Sequence, residues 1–333
     1  MSEIVKLNTD ERPIEVLMDE SIQEDKGLIN KIGRYAKFRR FDTGAYGRGY
    51  AVLGQEFKEP TLCRGLTGFL DFIPDKNLSQ VKVDFATKYG VGYKDVLSDL
   101  ANFGTFGHLM TGQLTADGFI HTGTQFEADL IQFMGYNGIS MHRFNEYYNL
   151  LSNYMFSMAC FFYETDFKLM AAEFPVVDFE KKIATAIDLV GEMNDPKNPL
   201  RRINVCINLK FRMNAAVYDK DYIQTNIELM MMQNLIQKKC IKLPSESQVI
   251  HKTFILCPKN IKERTRDNYL LKDTTGFYDE AEYNLDFNYF KAKKLLDQSI
   301  DKPMPKFKGV LIKLGETPQY ETIRQRMNNL FDF

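Results

Sequence analysis

The pattern of apolar residues predicts an α+β fold: a central helical hairpin at about 124–174, with mixed strands and helices around it and a strand-richer second half. Three stretches carry that expectation. Phe126, Leu130, Ile131 and Met134 recur at helical spacing up to Gly135. Phe144, Tyr147, Tyr148, Leu151, Met155, Met158 and Phe162 then form a longer apolar stripe that Pro175 is expected to end. Further on, Ile203, Val205, Ile207, Leu209, Phe211 and Met213 alternate with Arg202, Asn204, Cys206, Asn208, Lys210 and Arg212. That is the signature of a strand with one apolar and one polar, basic face.

In chain order, Ile4–Leu7 and Ile14–Met18 read as short strands. A helix from Ile22 to about Phe38 would align Leu28, Ile32 and Tyr35, with Arg34, Lys37, Arg39 and Arg40 at its C-terminal end, where cations suit the dipole. A Gly-rich connector, Thr43 to Tyr50, leads into a strand through Val52. Leu66–Ile73 reads as strand or buried loop, Val81, Val83 and Phe85 as a half-buried strand, and Tyr93–Phe103 as a helix. The glycines from Gly104 to Gly123 suggest loop or hairpin. Thr124 and Glu127 have capping-box spacing for the first central helix, and Ser140 can cap the second, across the turn Tyr136-Asn137-Gly138.

Asp178 is expected to cap a helix carrying Phe179, Ile183, Ile187 and Val190, closed by Gly191. The turn cluster from Gly191 to Pro199 marks a boundary between a helix-richer part (1–191) and a strand-richer part (200–333), unless the chain is one domain. Asp221 starts a helix through Ile223, Ile227, Met231 and Leu235. Gln248–Cys257 and Phe307–Leu314 read as strands, and Thr317-Pro318 opens a terminal helix.

A formal net charge of −1 over 333 residues argues against nucleic-acid binding through bulk charge. Trp is absent, whereas Phe (26), Tyr (17) and Met (15) are abundant, as in an A/T-biased genome or a large subunit interface. The five cysteines, Cys63, Cys160, Cys206, Cys240 and Cys257, contain no C-x-x-C pair. They suggest reduced thiols in an intracellular, cytoplasmic setting. Neither a signal peptide nor a membrane-length apolar run is read in the chain, so no membrane partner is expected.

Two groups of candidate site residues emerge. The run Arg34-Tyr35-Ala36-Lys37-Phe38-Arg39-Arg40-Phe41 interleaves cations and rings, which suits single-stranded nucleic acid through Arg34, Lys37, Arg39 and Arg40. Phe144, Tyr148, Leu151 and Met155 of the central stripe, with Phe331 and Phe333 at the C-terminus, are candidates for a subunit contact. His142 and Glu146, four apart, make only an isolated pair, so no metal or cofactor site is assigned. No nucleophile motif occurs, and His108, His121 and Asp117 are the first acid–base candidates if the Gly-rich region holds an enzyme.

The leading expectation is a non-enzymatic structural or assembly protein, a homo-oligomer or subunit of a larger complex such as a virion capsid or tail. The alternatives are a nucleic-acid-associated protein using 34–41 and an enzyme around 104–123.

Overall fold

A computed structural model describes residues 30–42, 48–54, 56–70, 83, 87, 101–108, 110–111, 123–212, 217–259, 268–277 and 310–313. The fold is α+β. A mixed nine-stranded sheet comprises β1 (Lys37–Asp42), β2 (Arg48–Gly54), β3 (Phe57–Gly65), β4 (Lys168–Asp178), β5 (Ile183–Asp195), β6 (Asn198–Leu209), β7 (Lys252–Pro258), β8 (Tyr269–Asp273) and β9 (Val310–Lys313). The described helices are α1 (Leu66–Leu70), α2 (101–108 with 110–111), α3 (Gly123–Tyr136), α4 (Phe144–Glu164) and α5 (Asp219–Gln237).

The strand β5 organises the sheet. β4 runs antiparallel to it from Asp178↔Ile183 to Lys168↔Glu192. β6 pairs antiparallel with it only from Leu189 to Asp195, and β3 pairs parallel with it only at Ile183 and Ala184. Two strands thus meet β5 at opposite ends. β6 continues the sheet into parallel β7 and then antiparallel β8, while β3 continues it through β2 and β1 to β9.

Helices cover both faces. Ile223, Ile227, Met231 and Leu235 of α5 belong to one core with Val176, Ile187, Val190 and Cys206. Phe106, Leu130, Phe133, Leu151, Met155 and Met158 of α2, α3 and α4 form the second core with Leu189, Val205, Ile207 and Leu256. The α3–α4 hairpin is therefore present, and it ends at Glu164 rather than near Pro175. Pro175 sits inside β4, opposite Ala186. Proline suits a strand whose other edge needs no N–H there, and among the described residues that edge carries only the Asn30↔Ala171 bridge. Ser140 Oγ accepts from His142 N at the 3-10 turn that leads into α4. α3 starts at Gly123, which places Thr124 inside the first turn instead of at the cap.

Several sequence expectations are corrected. Residues 183–190 are strand: Ile183, Thr185, Ile187 and Leu189 also alternate, and their β-branched members fit the strand. Asp178 closes the β4–β5 turn, its Oδ1 accepting from Glu180 N and Lys181 N, and Gly191 lies inside β5. Lys37–Phe41 pairs with β2 as strand and is not a helix end. Leu66–Leu70 is helical, as are Val83 and residues 104–108, including Gly104 and Gly107, which continue the helix expected to end at Phe103. Both faces of β6 are buried from Ile203 to Leu209, because α5 covers the side at Cys206 and Asn208 and the 247–251 segment holds Asn204. The turn cluster at 191–199 spans the end of β5 and its turn into β6. Residues 1–29, 43–47 and 314–333, with the elements read there, lie outside the described residues.

Glycine at 191 is required by packing. A β-carbon there would meet the Phe167 ring and lie 2.7 Å from the Lys168 carbonyl oxygen. Gly191→Ala should therefore lower stability by about 1–3 kcal/mol. Gly135→Ala, in α3 with nothing within 4 Å of the added carbon, should raise it by about 0.5–1 kcal/mol. Urea midpoints of the two variants moving in the same direction would contradict this reading.

Candidate metal centre

Halfway along β5, where β6 has diverged and β3 has not yet joined, two carboxylates face an imidazole. Glu173 and Asp188 lie opposite each other in the β4–β5 ladder, between the pairs Ala172↔Leu189 and Phe174↔Ile187. His108 of α2 places Nδ1 3.7 Å from Asp188 Oδ1 and 3.9 Å from Glu173 Oε1. Both separations exceed hydrogen-bond length. One ligand atom from each residue lies within 4.8 Å of the other two. An ion about 2.1 Å from each would need neighbouring ligands about 3 Å apart, a contraction of about 1 Å.

The local fold aims each side chain. Asp188 is held by Leu209 N, which donates to Oδ2 at 2.6 Å where β6 leaves β5. A side chain thus replaces the backbone acceptor the departing strand loses. His108 stands edge-on to Phe211, ring centroids 5.5 Å apart. Phe211 in turn packs on Gly107, where an added β-carbon would lie 2.5 Å from the ring. Glu173 has φ +48, left-handed backbone that is costly for a residue of this kind.

Strain and like charge both oppose this arrangement in the absence of an ion. Two carboxylates directly across a ladder repel, and the left-handed backbone adds about 1–2 kcal/mol. Glu173→Asn tolerates that backbone and removes one charge. It should raise stability by about 1 kcal/mol while weakening divalent-ion binding. Thermal unfolding with and without Mn2+ checks both parts, and a variant that keeps the full metal-induced stabilisation would contradict the assignment.

Between β6 and α5 runs a part-buried polar chain that ends at the buried Glu228. Lys210 Nζ donates to Gln224 Oε1 at 3.2 Å, and Gln224 Nε2 donates to Glu228 Oε1 at 2.8 Å. Asn208 Nδ2 lies 3.4 and 3.3 Å from the two Glu228 carboxyl oxygens. Glu228 is 1% exposed. Burial, with Asp188 as a further cause, pushes its carboxyl up to about 8 despite the hydrogen bonds from Gln224 and Asn208 and the Lys210 charge. Arg212 is engaged by Asp221, with Nη2 2.8 Å from Oδ1, and Asp221 Oδ2 also accepts from Tyr218 N at the start of α5.

A second His cluster has a structural role. His251 Nδ1 accepts from Asn204 N at 3.0 Å, so Nε2 carries the proton it directs at Ser247 Oγ, 3.4 Å away. A ring in that tautomer cannot take a proton from the serine. Burial pushes the thiols of Cys63 and Cys257 up to about 12 and about 11, and all five cysteines are free. Neither thiol has the depressed pKa of a nucleophile.

Of the residues singled out from sequence, only His108 belongs to the triad; His121 and Asp117 lie outside the described residues. Glu146 is bound by Arg143 at 2.9 and 3.0 Å. Leu151 and Met155 are buried in this chain's own core, and Phe144 and Tyr148 pack against it. Phe331 and Phe333 are outside the described residues. Arg34 precedes β1, which contains Lys37, Arg39 and Arg40. The sequence reading does not single out Glu173 and Asp188. Their available signal is a lone carboxylate within the apolar runs Leu169–Phe174 and Ala186–Val190.

No helix among the described residues is long and apolar enough to cross a membrane. No protein-family model matches the chain, and no curated protein aligns with it significantly.

Proposed function

We propose that the protein is a divalent-metal-dependent phosphodiesterase acting on nucleic acid, with His108, Glu173 and Asp188 as ion ligands. The convergence of one imidazole and two carboxylates at the fork in the sheet carries this reading. Carboxylate-rich ligation favours Mg2+ or Mn2+, and the imidazole favours Mn2+ between them. Such an ion, when bound, polarises a phosphoryl oxygen and makes its bound water more acidic. Asp188 and Glu173 orient the site, Asp188 through its tether to Leu209 N. Hydrolysis adds water across one P–O bond, leaving a phosphomonoester and a hydroxyl group. Nucleic acid is favoured over small esters by the basic and aromatic run 34–41, which feeds into β1 of the same sheet.

The test is incubation of end-labelled single-stranded DNA, duplex DNA and RNA with Mg2+, Mn2+ or EDTA. Cleavage that needs the ion and disappears in His108→Ala and Asp188→Asn supports the proposal. No cleavage of any polymer with either ion, or cleavage unchanged in both variants, refutes it.

A second reading, a subunit of a larger assembly, is favoured by two exposed apolar side chains at one end of the molecule. Tyr163 is 89% and Leu200 98% exposed. Tyr163 lies in the last turn of α4, and the α4–β4 turn that follows it is joined to the β5–β6 hairpin carrying Leu200 by Asn194 N donating to Thr165 O at 2.9 Å and by Arg202 bound to Asp166. Light scattering across a concentration series, with Tyr163→Ser/Leu200→Ser as comparison, tests it. A concentration-independent monomer would refute this second reading.

A further inference from the structure

We propose that Cys160 is a site of reversible oxidation, whose thiol a hydroperoxide converts to a sulfenic acid held by the side-chain amide of Asn268. The site shares no residue with the triad. Ser157, Cys160 and Glu164 fall in line along α4 at helical spacing. All three meet the chain where it enters β8. Ser157 Oγ donates to the Asn268 carbonyl oxygen, Asn268 Nδ2 donates to Cys160 Sγ at 3.2 Å, and Tyr269 Oη donates to Glu164 Oε2 at 2.9 Å. Lys259 N, at the end of β7, donates to the same Asn268 carbonyl at 3.1 Å and to Ser157 Oγ at 3.2 Å. The Asn268 backbone is thus held from two sides, and its amide is fixed beside the sulfur.

Two observations set Cys160 apart. The first is what faces its sulfur. Cys63, Cys206 and Cys257 are buried, and burial pushes their thiols up. Cys240 is half-buried, as Cys160 is, but its Sγ faces the Lys238 carbonyl oxygen at 4.0 Å, and burial and then the Glu56 charge push its thiol up. An acceptor there suits a sulfur that keeps its proton. Cys160 Sγ instead faces an N–H donor, which suits the anionic sulfur that attacks a peroxide. The second observation is the other end of the same amide. Asn268 is 5% exposed, yet its Oδ1 has no hydrogen-bond partner. A thiol engages only one end of a primary amide. A sulfenic acid engages both, its sulfur accepting from Nδ2 and its new hydroxyl donating to Oδ1.

In the step itself the Cys160 thiolate attacks the terminal oxygen of R–O–O–H. An S–O bond forms and the O–O bond breaks. Sulfur loses two electrons, and the departing oxygen gains them, leaves as R–O− and takes a proton from water. The hydroxyl stays on sulfur as Cys160–S–OH. A small thiol reverses the change: it displaces water to give a mixed disulfide, and a second thiol then releases Cys160–SH and a disulfide of the small thiol.

The experiment treats the intact chain with hydrogen peroxide in the presence of dimedone and follows the adduct at each cysteine by mass spectrometry. Cys160 should be trapped at least about 10-fold faster than the equally half-buried Cys240, and faster than the three buried thiols. Asn268→Leu and the near-isosteric Asn268→Asp both remove the donor. Each should slow trapping at Cys160 about 10-fold and leave Cys240 unchanged. The wild-type comparison of Cys160 with Cys240 decides the matter should neither variant fold. Without dimedone, the Asn268 side-chain NH2 signals in 15N NMR should move on addition of peroxide and return with dithiothreitol.

Trapping at Cys160 no faster than at Cys240 would overturn the assignment. Fast trapping at Cys160 that is unchanged in folded Asn268→Asp, or that leaves the Asn268 NH2 signals unmoved, would overturn the role of the amide.

Discussion

Asp188→Asn is expected to lower Mn2+ affinity and any metal-dependent cleavage by at least about 100-fold while leaving the fold intact. The asparagine keeps a side-chain oxygen for Leu209 N, which now donates to Asp188 Oδ2 at 2.6 Å, and it keeps the volume. It loses the anionic oxygen that faces His108 Nδ1 at 3.7 Å. Repulsion across the ladder from Glu173 also falls, so stability should hold or rise by up to about 1 kcal/mol. Asp188→Ala removes the same ligand but also leaves Leu209 N without its acceptor, at a further cost of about 1–3 kcal/mol. The pair of variants separates the two roles of one side chain. Titration calorimetry with Mn2+ reads the first and urea unfolding the second. Wild-type Mn2+ affinity in Asp188→Asn would remove the residue from the site.

The sequence revealed the parts of this fold whose period is unambiguous. The α3–α4 hairpin shows because its apolar stripe repeats over many turns, and β6 because its alternation is long. Residues 183–190 misled because Ile183, Ile187 and Val190 satisfy a helical period while Ile183, Thr185, Ile187 and Leu189 satisfy that of a strand. Pairing with β4 and β6 decides between them, and pairing is a tertiary fact. Gly107 was read as loop because a helix interior disfavours glycine. What it provides is room for Phe211, a residue 104 positions further on in the numbering.

The site was less legible for a related reason. Its three candidate ligands come from α2, β4 and β5 and are spaced 65 and 15 residues apart, from His108 to Glu173 to Asp188. No short motif can record that. The alternation of Asn204, Cys206, Asn208 and Lys210 marks a polar, basic face in the sequence, whereas α5 packs on it and Asn208 meets Glu228 there. A carboxylate centred in an apolar strand is the local sign that survives, because burial of such a group is unusual without a partner or a task.

That cost is measurable at Glu228, and it gives the second large effect. Its carboxyl is pushed up to about 8 in the folded protein, from an ordinary value of 4.5, chiefly by burial. Below the ordinary carboxylate range both folded and unfolded states hold the proton, and the group contributes nothing to the pH dependence. As pH rises from there, the unfolded state releases the proton first, so stability is lost progressively until the folded state also ionises near 8. Above that point the loss is complete, on the order of a few kcal/mol. Glu228→Gln has no proton to release, still accepts from Gln224 Nε2, and offers an NH2 group to the Asn208 side-chain oxygen, which has no hydrogen-bond partner. Its stability advantage over the wild type should therefore be small at pH 5, larger at pH 7 and constant above about pH 9. Urea unfolding of both proteins at those three values tests this, since other titrating groups cancel in the difference. An advantage that does not change with pH would mean that Glu228 is ionised throughout. Lys210, rather than a retained proton, would then have to balance its charge.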